Sequence, residues 1–319
     1  MMLTTAETAR WLEERDDFLI ITHRRPDGDT VGCAGALAQG LRETGKSAYI
    51  LFNPEATARY APYNEEYWAP EGYTSENVIT IDIASYDLFP KNGGGYVDAI
   101  SLSIDHHPSN TLYARDNYLD GTCASCGEMI YDLLMTMSGS ISEKSASYLY
   151  VALSTDTGCF EFANTTARTL RVASLLIEAG APHRELNRRL FRTRTRSRIA
   201  IEGMIYSGLE FHCGGAVAIA SITRAMMEEA RAAEDDVDDI ASIPGGIEGV
   251  LAGITIRELT GTRDCKVSVR SSPTVNSHAL CAHFGGGGHA MAAGFAMEAS
   301  VPEIKQMILE VIEQFLPSI

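Results

Sequence analysis

Histidine and aspartate side chains gather in one short stretch near the start of the chain. In the segment ITHRRPDGDTVG, residues 21–32, His23, Asp27 and Asp29 come soon after an apolar run. Carboxylates this close repel one another, and burying them without a partner costs free energy. A bound cation would remove the repulsion. The stretch therefore predicts part of a metal site, provided that further ligands lie downstream.

Further candidate ligands follow two other apolar runs. Asp82 comes directly after NVITI, and Asp105, His106 and His107 come directly after ISLSI. Each run predicts a buried strand, and the carboxyl ends of parallel strands are where α/β sheets bind ligands. Asp156 in STDTG follows a predicted helix and could reach the same edge. We therefore expect these side chains to converge, although each one alone could be a helix cap or an ordinary surface residue.

The donor types indicate which cations would bind. Carboxylates and imidazoles without a thiolate suit Mn²⁺ or Mg²⁺, with iron, cobalt and zinc as alternatives. The set offers more ligand atoms than one ion needs. The sequence therefore predicts two ions that share a bridging carboxylate.

The first half of the chain alternates strand-like and helix-like segments, which predicts a parallel sheet with helical crossovers. The predicted strands are FLIIT, SAYILF, NVITID and ISLSID, and the predicted helices are GCAGALAQGLRETG, EMIYDLLMTM and SEKSASYLYVALST. Helical spacing then covers residues 168–208, with a break at GAPH. Strand-like segments return as GAVAIASI, GVLAGITIREL, DCKVSVRSS and GFAME. They predict a second, smaller α/β domain.

The chain is acidic, with 42 acidic against 26 basic residues and a formal net charge of −16 over 319 residues. Long nucleic acids usually bind basic surfaces, so we expect no binding of long duplexes. The sequence has no apolar run of about 18 residues and no signal-peptide core at its start. We therefore expect no membrane partner and a cytoplasmic location.

Seven cysteines are scattered along the chain, and their odd number argues against a disulfide framework. Cys123 and Cys126 form a lone CxxC motif without the second pair that a four-ligand zinc site needs. The motif instead predicts the start of a helix, with Ser125 near its N-cap.

Several of these segments together resemble a known family. HRRPDGDTVG, the dipeptide Ile81-Asp82, DHHPSN and TDTG resemble the four motifs of the DHH phosphoesterases, and HFGGGGHAMAAGF, residues 283–295, resembles the DHH-associated C-terminal domain. The motifs occur in the family's order and span nearly the whole chain. Within the superfamily, the sequence is most similar to the stand-alone oligoribonucleases (nanoRNases) and 3′-phosphoadenosine 5′-phosphate phosphatases.

The resemblance implies an α/β fold in two domains, with the active site in the cleft between them. Residues 1–182 would form a parallel-sheet DHH catalytic domain, residues 183–209 a linker helix, and residues 210–319 the smaller DHH-associated α/β domain. Seven arginines lie between Arg184 and Arg198. They are either the solvated face of the linker or a lining that attracts anions.

The resemblance also implies a role for each candidate residue. One ion would be held by His23, Asp27 and Asp82, and the other by Asp29, Asp82, His106 and Asp156. The catalytic residues would be Asp82, Asp105 and His107, with His107 facing the substrate phosphate and Asp105 orienting the neighbouring histidine. The substrate-binding residues would be Arg270, Ser271, Gly286, Gly287, Gly288 and His289.

These roles describe a phosphohydrolase in which two divalent cations activate a hydroxide, with Mn²⁺ expected and Mg²⁺, Co²⁺ or Fe²⁺ as alternatives. The expected substrates are di- to pentanucleotides, linear dinucleotides such as pApA, and 3′-phosphoadenosine 5′-phosphate. Alternative functions are a single-strand exonuclease on longer chains, an inorganic pyrophosphatase, a nucleotide-binding sensor without catalysis and a metal-free structural protein. Relatives are often dimers, so a homodimer is also expected.

Overall fold

The computed structural model describes residues 1–237 and 239–317, and the chain divides into two compact units, Met1–Thr193 and Arg194–Ile319. The predicted division into residues 1–182, 183–209 and 210–319 stays a prediction. Residues 238, 318 and 319 of its last part lie outside the described residues.

The first unit contains a five-stranded parallel sheet. Its strands are β1 (Phe18–Thr22), β2 (Ala48–Ile50), β3 (Asn77–Ile81), β4 (Ile100–Asp105) and β5 (Asp116–Leu119), arranged in the order β2-β1-β3-β4-β5. Its helices are α1 (Thr5–Glu13), α2 (Gly28–Glu43), α3 (Cys126–Ser138), α4 (Glu143–Asp156), α5 (Ala167–Glu178) and α6 (His183–Asn187), followed by a π-helical turn, Arg188–Arg192. The α/β prediction with a parallel sheet is confirmed.

The central strands are buried on both faces. All five residues of β1 and all six of β4 are buried, which explains why both appear in the sequence as unbroken apolar runs. The segment SAYILF forms only the three-residue strand Ala48–Ile50. The last strand, Asp116–Leu119, was not predicted, because its sequence DNYL has polar residues at two of four positions.

Two helix ends differ from the predicted ones. Helix α2 begins at Gly28 rather than at residue 32, because the Asp27 side chain accepts hydrogen bonds from the backbone N–H groups of Asp29 and Thr30. Helix α4 extends to Asp156, which the sequence placed after the helix. As a result, the candidate ligand Asp29 lies in the first turn of α2, and the candidate ligand Asp156 lies in the last turn of α4.

The second unit contains a mixed six-stranded sheet. Its strands are β6 (Glu210–His212), β7 (Val217–Ile222), β8 (Ala252–Glu258), β9 (Asp264–Ser271), β10 (Gly287–His289) and β11 (Ala292–Glu298), in the order β10-β11-β9-β8-β7-β6. Its helices are α7 (Arg196–Ser207), α8 (Arg224–Ala230), α9 (Ser277–His283) and α10 (Val301–Val311). Only β7 and β8 pair in parallel among the described strands of this sheet.

The apolar residues of the second unit lie on both faces of its sheet. One cluster includes Ile254, Val267 and Ile304 and lies on the α10 side, and another includes Ile201 and Ile222 on the α7 side. No helix within residues 1–237 and 239–317 is long and apolar enough to cross a membrane.

Candidate metal centre and substrate-binding residues

The register of the parallel sheet aligns the residues that follow its central strands. The last residue of β1 pairs with the last residue of β3, which in turn pairs with Ile104 in β4. His23 follows β1, Asp82 follows β3, and Asp105 is the last residue of β4. These three residues therefore lie side by side at the carboxyl edge of the sheet. The convergence expected from the sequence is therefore present in the structure.

Two helices bring further carboxylates to the same edge. Asp29 lies in the first turn of α2, and Asp156 is the last residue of α4. These helices pack closely because Gly28 lies against the Thr155 side chain, where any added Cβ atom would clash. The close approach places a ligand atom of Asp29 within 4.8 Å of one from Asp156 and one from His106.

One group of candidate ligands forms around His23. Its Nε2 atom lies 3.5 Å from Asp27 Oδ1 and 3.8 Å from Asp82 Oδ2. The Nδ1 atom of His23 lies 2.8 Å from the backbone oxygen of Arg24, which fixes the ring orientation. His23, Asp27 and Asp82 therefore face a common point.

A second group forms around His106. Its Nε2 atom lies 3.6 Å from Asp82 Oδ1, 3.7 Å from Asp156 Oδ2 and 3.8 Å from Asp29 Oδ2. The Nδ1 atom of His106 lies 3.2 Å from the Cys123 backbone oxygen. The two groups share one residue, Asp82, whose two carboxylate oxygens point to different histidines.

The backbone at Asp82 has an uncommon conformation. Its φ angle is +62°, in the left-handed region that few residues other than glycine, asparagine and aspartate adopt. Its N–H group donates a 2.9 Å hydrogen bond to the Ile104 carbonyl oxygen, which holds this conformation in place. Such strain is often stored at functional sites.

His107 lies beside the second group, with its Nδ1 atom 3.4 Å from Asp82 Oδ1, and is held by Asp105. Its Nδ1 atom lies 2.8 Å from Asp105 Oδ1, and the other oxygen of Asp105 accepts a 2.6 Å hydrogen bond from Asn110. Asp105 is buried, whereas 42% of the His107 side chain is exposed. The exposed ring edge of His107 is therefore free to meet a substrate.

Burial and mutual repulsion disfavour the charged forms of three carboxylates. Burial and the charges of Asp82 and Asp156 raise the pKa of Asp29 well above its ordinary range. Burial and the charge of Asp27 raise the pKa of Asp82 to about 6, although the nearby histidines oppose this. Burial raises the pKa of Asp156 to about 7, with His106 opposing and Asp82 reinforcing the shift. Positive charge at this place would therefore favour the ionised forms of all three.

Neighbouring carboxylates raise the pKa values of two histidines and so favour their charged forms. Burial lowers the pKa of His23, but the neighbouring carboxylates of Asp27 and Asp82 outweigh it and raise the pKa to about 9. The hydrogen bond with Asp105 raises the pKa of His107 to about 9, against the effect of burial.

The donor set fits divalent cations. Oxygen and imidazole donors at this spacing match sites for Mg²⁺, Mn²⁺ and related ions, and the unpaired carboxylates need a counter-charge. Four groups of side chains have ligand atoms within 4.8 Å of one another, and two of them, His23-Asp27-Asp82 and Asp29-His106-Asp156, contain only residues of the two implied sets. The other two groups join Asp82 to His106 and His107, and Asp29 to Asp82 and Cys126, so the assignment of each residue to an ion stays a prediction. The chemistry of the site indicates a divalent-metal centre.

A thiol lies behind this centre. Cys126 Sγ is buried 3.7 Å from Asp82 Oδ1, and the backbone N–H of Cys126 donates a 2.8 Å hydrogen bond to Asp29 Oδ2. The sequence predicted Cys126 only as part of a helix start, and that prediction is confirmed because Ser125 caps α3. All seven cysteines are free thiols.

Sequence analysis missed two asparagines that organise the centre. Asn110 donates to Asp105, and its position within DHHPSN could have indicated it. Asn164 donates to the backbone oxygens of Ala124 and Asp156, and so ties the end of α4 to the segment before α3. Nothing in the local sequence around Asn164 marks this role.

The predicted substrate-binding residues lie in the second unit. His289 pairs with Ala292 across β10 and β11, and Ala292 pairs with Arg270 across β11 and β9. Residues directly opposite one another share a sheet face, so Arg270 and His289 lie on one face with a small residue between them. The Ser271 hydroxyl donates a 2.7 Å hydrogen bond to the Val275 backbone oxygen.

The glycines before His289 form part of a hairpin. Gly287 and Gly288 belong to β10, and an added Cβ at Gly288 would lie 2.6 Å from Ala293 Cα. Gly286 lies so close to the Gly294 carbonyl oxygen that a side chain would not fit. The glycines therefore permit close strand packing, and their expected role in substrate binding stays a prediction.

Two family models match the chain. The model described as the DHH family, N-terminal domain, matches residues 17–153, and that of the DHHA1 domain matches residues 214–317. The first range contains all candidate ligands except Asp156, and the second contains the predicted substrate-binding residues.

Related proteins match over nearly their whole length. A Thermus thermophilus protein named bifunctional oligoribonuclease and PAP phosphatase NrnA is 31% identical over 299 residues, which covers 93% of this chain and 89% of that protein. A Bacillus subtilis protein of the same name is 28% identical over 297 residues, covering 90% and 91% respectively.

Solved structures share the fold. An exopolyphosphatase-related protein from Bacteroides fragilis matches with a TM-score of 0.87 at 22% identity, covering 98% of this chain and 96% of that one. The exonuclease RecJ bound to manganese matches with a TM-score of 0.56 at 14% identity, covering 99% and 96%. At these identities the matches show the fold alone.

Proposed function

This chain belongs to the DHH family of phosphoesterases and is a hydrolytic enzyme that acts on nucleotides, and on that premise we propose its substrates and its site. The proposed substrates are di- to pentanucleotides, linear dinucleotides such as pApA, and 3′-phosphoadenosine 5′-phosphate. The observation that carries this proposal is the meeting of two ligand groups at Asp82. The names of the Thermus and Bacillus relatives support the choice of substrates.

The proposed centre holds two divalent cations. His23, Asp27 and Asp82 would hold one, and Asp29, Asp82, His106 and Asp156 the other. When bound, the ions supply charge neutralisation at the phosphoryl oxygens and a water nucleophile at neutral pH. We propose Mn²⁺ as the native ion, with Mg²⁺, Co²⁺ and Fe²⁺ as alternatives, because carboxylate and imidazole donors suit these ions.

His107 is the proposed contact with the reacting phosphate. Because its Nδ1 atom is engaged with Asp105, its Nε2 atom is the one left to donate a hydrogen bond. The raised pKa of about 9 keeps the imidazole protonated at neutral pH. His107 can therefore stabilise negative charge on a phosphoryl oxygen and deliver a proton to the leaving oxygen. Asp105 keeps the ring oriented for both tasks.

The second unit would bind the part of the substrate that does not react. Arg270 and His289 share a sheet face, and Arg270 carries the positive charge that a phosphate or nucleotide edge requires. Arg270→Ala and His289→Ala should fold and keep their metal, and they should raise KM for pApA. Some loss of kcat is expected if remote binding orients the phosphate. Unchanged kcat/KM in both variants would contradict a role of the second unit in substrate binding.

A hydrolysis panel tests the proposed function. Its substrates are RNA dinucleotides, pApA, 3′-phosphoadenosine 5′-phosphate, a cyclic dinucleotide and pyrophosphate, each with Mn²⁺. We expect turnover of the first three substrates and its loss in Asp82→Asn. Preference for pyrophosphate would support the alternative pyrophosphatase, and binding of nucleotides without turnover would support a sensor.

The proposal includes a cytoplasmic homodimer that does not bind long duplexes. The net charge of −16 supports the weak binding of duplex DNA or RNA. Sedimentation of the purified chain tests the dimer, and a gel-shift titration with a long duplex at physiological salt tests the absence of binding. A monomer in sedimentation would contradict the proposed dimer. A gel shift of the duplex at submicromolar protein would contradict the proposed absence of duplex binding.

A further inference from the structure

An exposed phenylalanine lies in the segment that follows helix α4. This segment, residues 157–166, joins the candidate ligand Asp156 to the start of α5. Its Phe162 is 57% exposed and is the most exposed aromatic residue of the first unit. Single exposed apolar side chains are common on protein surfaces, so exposure alone assigns no role to Phe162. The way in which its ring is held, and its place beside the metal centre, indicate a role.

The Phe162 ring is held against the backbone. A Cβ atom added at Gly158 would lie 2.4 Å from Cε1 and 2.5 Å from Cζ of Phe162, so one edge of the ring rests directly on the glycine. Gly158 also has a φ angle of +57°, which glycine adopts more readily than other residues. The ring is therefore anchored on a residue that leaves it room, although Phe162 is more than half exposed.

The backbone before Phe162 has an uncommon conformation. Cys159 and Phe160 have φ angles of +59° and +69°, so together with Gly158 they form three consecutive residues in the left-handed region. Bulky residues rarely adopt this region, and such strain persists only where surrounding contacts hold it. The turn separates two aromatic side chains, because Phe160 packs against the core, 6.0 Å from the Tyr150 ring, whereas Phe162 stays exposed.

Hydrogen bonds fix the same segment to the metal centre. The N–H group of Phe162 donates a 3.0 Å hydrogen bond to the carbonyl oxygen of Thr157, the residue after Asp156. The Asn164 side chain donates a 3.1 Å hydrogen bond to the carbonyl oxygen of Asp156 itself. Because consecutive Cα atoms are about 3.8 Å apart, Gly158 Cα lies within about 7.6 Å of Asp156 Cα. The Phe162 ring, which rests on Gly158, is therefore a neighbour of the proposed metal centre.

A nucleobase is the group that suits such a ring. A nucleotide phosphate at the metal centre is joined to its base by a single ribose, so the base lies within reach of a neighbouring residue. Stacking on aromatic side chains is a common way in which proteins hold unpaired bases. A ring that is already held in place loses little conformational freedom when the base binds.

We infer that Phe162 stacks on the nucleobase of the nucleotide whose phosphate is hydrolysed. The inference rests on the proposed function and extends it, because it gives the first unit a base-binding residue of its own. Stacking of this kind favours substrates that carry a base next to the reacting phosphate, and it accepts any base because every base has a π face.

Kinetics with the Mn²⁺-loaded full chain tests this inference. The substrates are pApA and two analogues, each of which lacks one of its two adenines. We expect Phe162→Ala to raise KM for pApA about tenfold, as the loss of one stacked base predicts. Phe162→Leu keeps an apolar contact with Gly158 without a π face and should give a similar rise, whereas Phe162→Tyr should leave KM unchanged. For the analogue without the stacked adenine, wild type and Phe162→Ala should have the same KM.

Phe211→Ala is the matched control. Phe211 is 53% exposed and lies in β6, at the edge of the second sheet opposite to the strand that carries His289. Its replacement removes an exposed phenylalanine of the same kind away from the metal centre. We expect Phe211→Ala to leave KM unchanged for pApA and for both analogues.

Stopped-flow fluorescence provides a readout that does not require turnover. The base analogue 2-aminopurine loses fluorescence when it stacks, so pApA analogues with 2-aminopurine at either position are mixed with each variant and followed before hydrolysis. We expect quenching at one position in the wild type, Phe162→Tyr and Phe211→Ala, and its loss in Phe162→Ala and Phe162→Leu.

The same measurements contain the results that would overturn the inference. An unchanged KM for pApA in Phe162→Ala would do so, and so would an equal rise in KM for pApA and both analogues, because the loss would then not depend on a base. A changed sedimentation coefficient with an unaltered KM would assign the ring to a contact between protein chains instead. If the wild type hydrolyses no dinucleotide, the proposed function is wrong, and the fluorescence quenching still decides whether Phe162 binds a base.

Discussion

Gly32 in α2 lies against the backbone of Tyr148 in α4 so closely that a Cβ atom at position 32 would be 2.5 Å from the Tyr148 carbonyl oxygen. The same Cβ would lie 2.8 Å from the Ala152 backbone nitrogen. Backbone atoms cannot turn aside as a side chain can, so a larger residue must push the helices apart. The relation matters for the metal centre, because α2 carries Asp29 and α4 carries Asp156.

We expect Gly32→Ala to weaken cation binding at the group around His106 more than at the group around His23. If α4 yields, Asp156 moves from Asp29 and His106, while His23, Asp27 and Asp82, none of which lies in α4, keep their geometry. We also expect a loss of about 1–3 kcal/mol in the free energy of unfolding from overpacking. Mn²⁺ titration followed by electron paramagnetic resonance, together with urea unfolding, measures both. Gly203→Ala is the control, since nothing lies within 4 Å of a Cβ there; equal Mn²⁺ binding in the two variants would contradict the expectation.

Replacing Asp82 should abolish the binding of both ions. Its two oxygens face different histidines, His23 and His106, so Asp82→Ala removes a ligand from each group. His23→Ala should weaken mainly one ion. The measurement is metal content per chain by mass spectrometry after dialysis against Mn²⁺, with the exposed Asp98→Ala as control. Wild-type metal content in Asp82→Ala would remove its assignment as a bridge.

The fold of the first unit follows from sequence where burial alone decides it. Strands β1, β3 and β4 are buried on both faces, so their apolar runs are visible without knowledge of their neighbours. Strand β5 is different, because it becomes a strand by pairing with β4 and carries polar residues at two of its four positions. Pairing of this kind is a property of the partner and cannot be recognised in the segment itself.

The convergence of His23, Asp82 and His106 at one edge of the sheet was predictable because these residues come directly after strands. The supporting contacts were not, since they join distant parts of the chain. Asn164 reaches the backbone of Ala124, and Cys126 reaches Asp82, over sequence separations of 40 and 44 residues. A single sequence contains no signal for such pairs, and only the packing of α3 and α4 against the sheet brings them together.

Metal affinity should fall steeply as the pH is lowered through 7 and then 6. Burial and neighbouring charge raise the pKa of Asp156 to about 7 and that of Asp82 to about 6, and cations bind only the ionised forms. Mn²⁺ binding at pH 6 should therefore release protons. Calorimetry in two buffers of different ionisation enthalpy counts them; no proton release at pH 6 would contradict the raised pKa values.

The same shifts predict how the stability of the metal-free chain depends on pH. A carboxyl group whose pKa is raised on folding binds more protons in the folded state, so stability falls as pH rises from about 4 to about 7. Thermal unfolding of the metal-free chain should show this decline, and saturating Mn²⁺ should reverse it. A melting temperature that rises over this range without metal would contradict the sign.

Asn110 should act on catalysis through Asp105 and His107. Asn110→Ala leaves one oxygen of the buried Asp105 without its 2.6 Å hydrogen bond and loosens the orientation of His107. We expect kcat to fall about ten- to a hundredfold, as is typical for groups that orient a reacting residue. In the metal-free chain, His107 should titrate near pH 9, and Asp105→Asn should lower that pKa toward its ordinary value.

Imidazole nuclear magnetic resonance reports the titration of His107, and steady-state kinetics reports kcat. Asn92→Ala is the control for Asn110→Ala, because it removes an exposed hydrogen bond to the Phe52 backbone in the same unit. An unchanged kcat in Asn110→Ala, or a His107 pKa that does not respond to Asp105→Asn, would show that this chain of contacts does not orient the histidine.

The preference for short substrates is the central claim, and it follows from charge. A long single strand is usually tracked by an extended basic groove, whereas this chain carries 42 acidic and 26 basic residues. Phosphates beyond those that the metal centre and Arg270 are proposed to bind would meet a chain with an excess of acidic residues. The direct measurement is kcat/KM for a length series of end-labelled RNA at fixed salt with Mn²⁺. We expect the highest value at about 2–4 nucleotides and a clear fall for chains of about 20–30 nucleotides, whereas an equal or rising value with length would contradict the claim and favour a long-chain exonuclease.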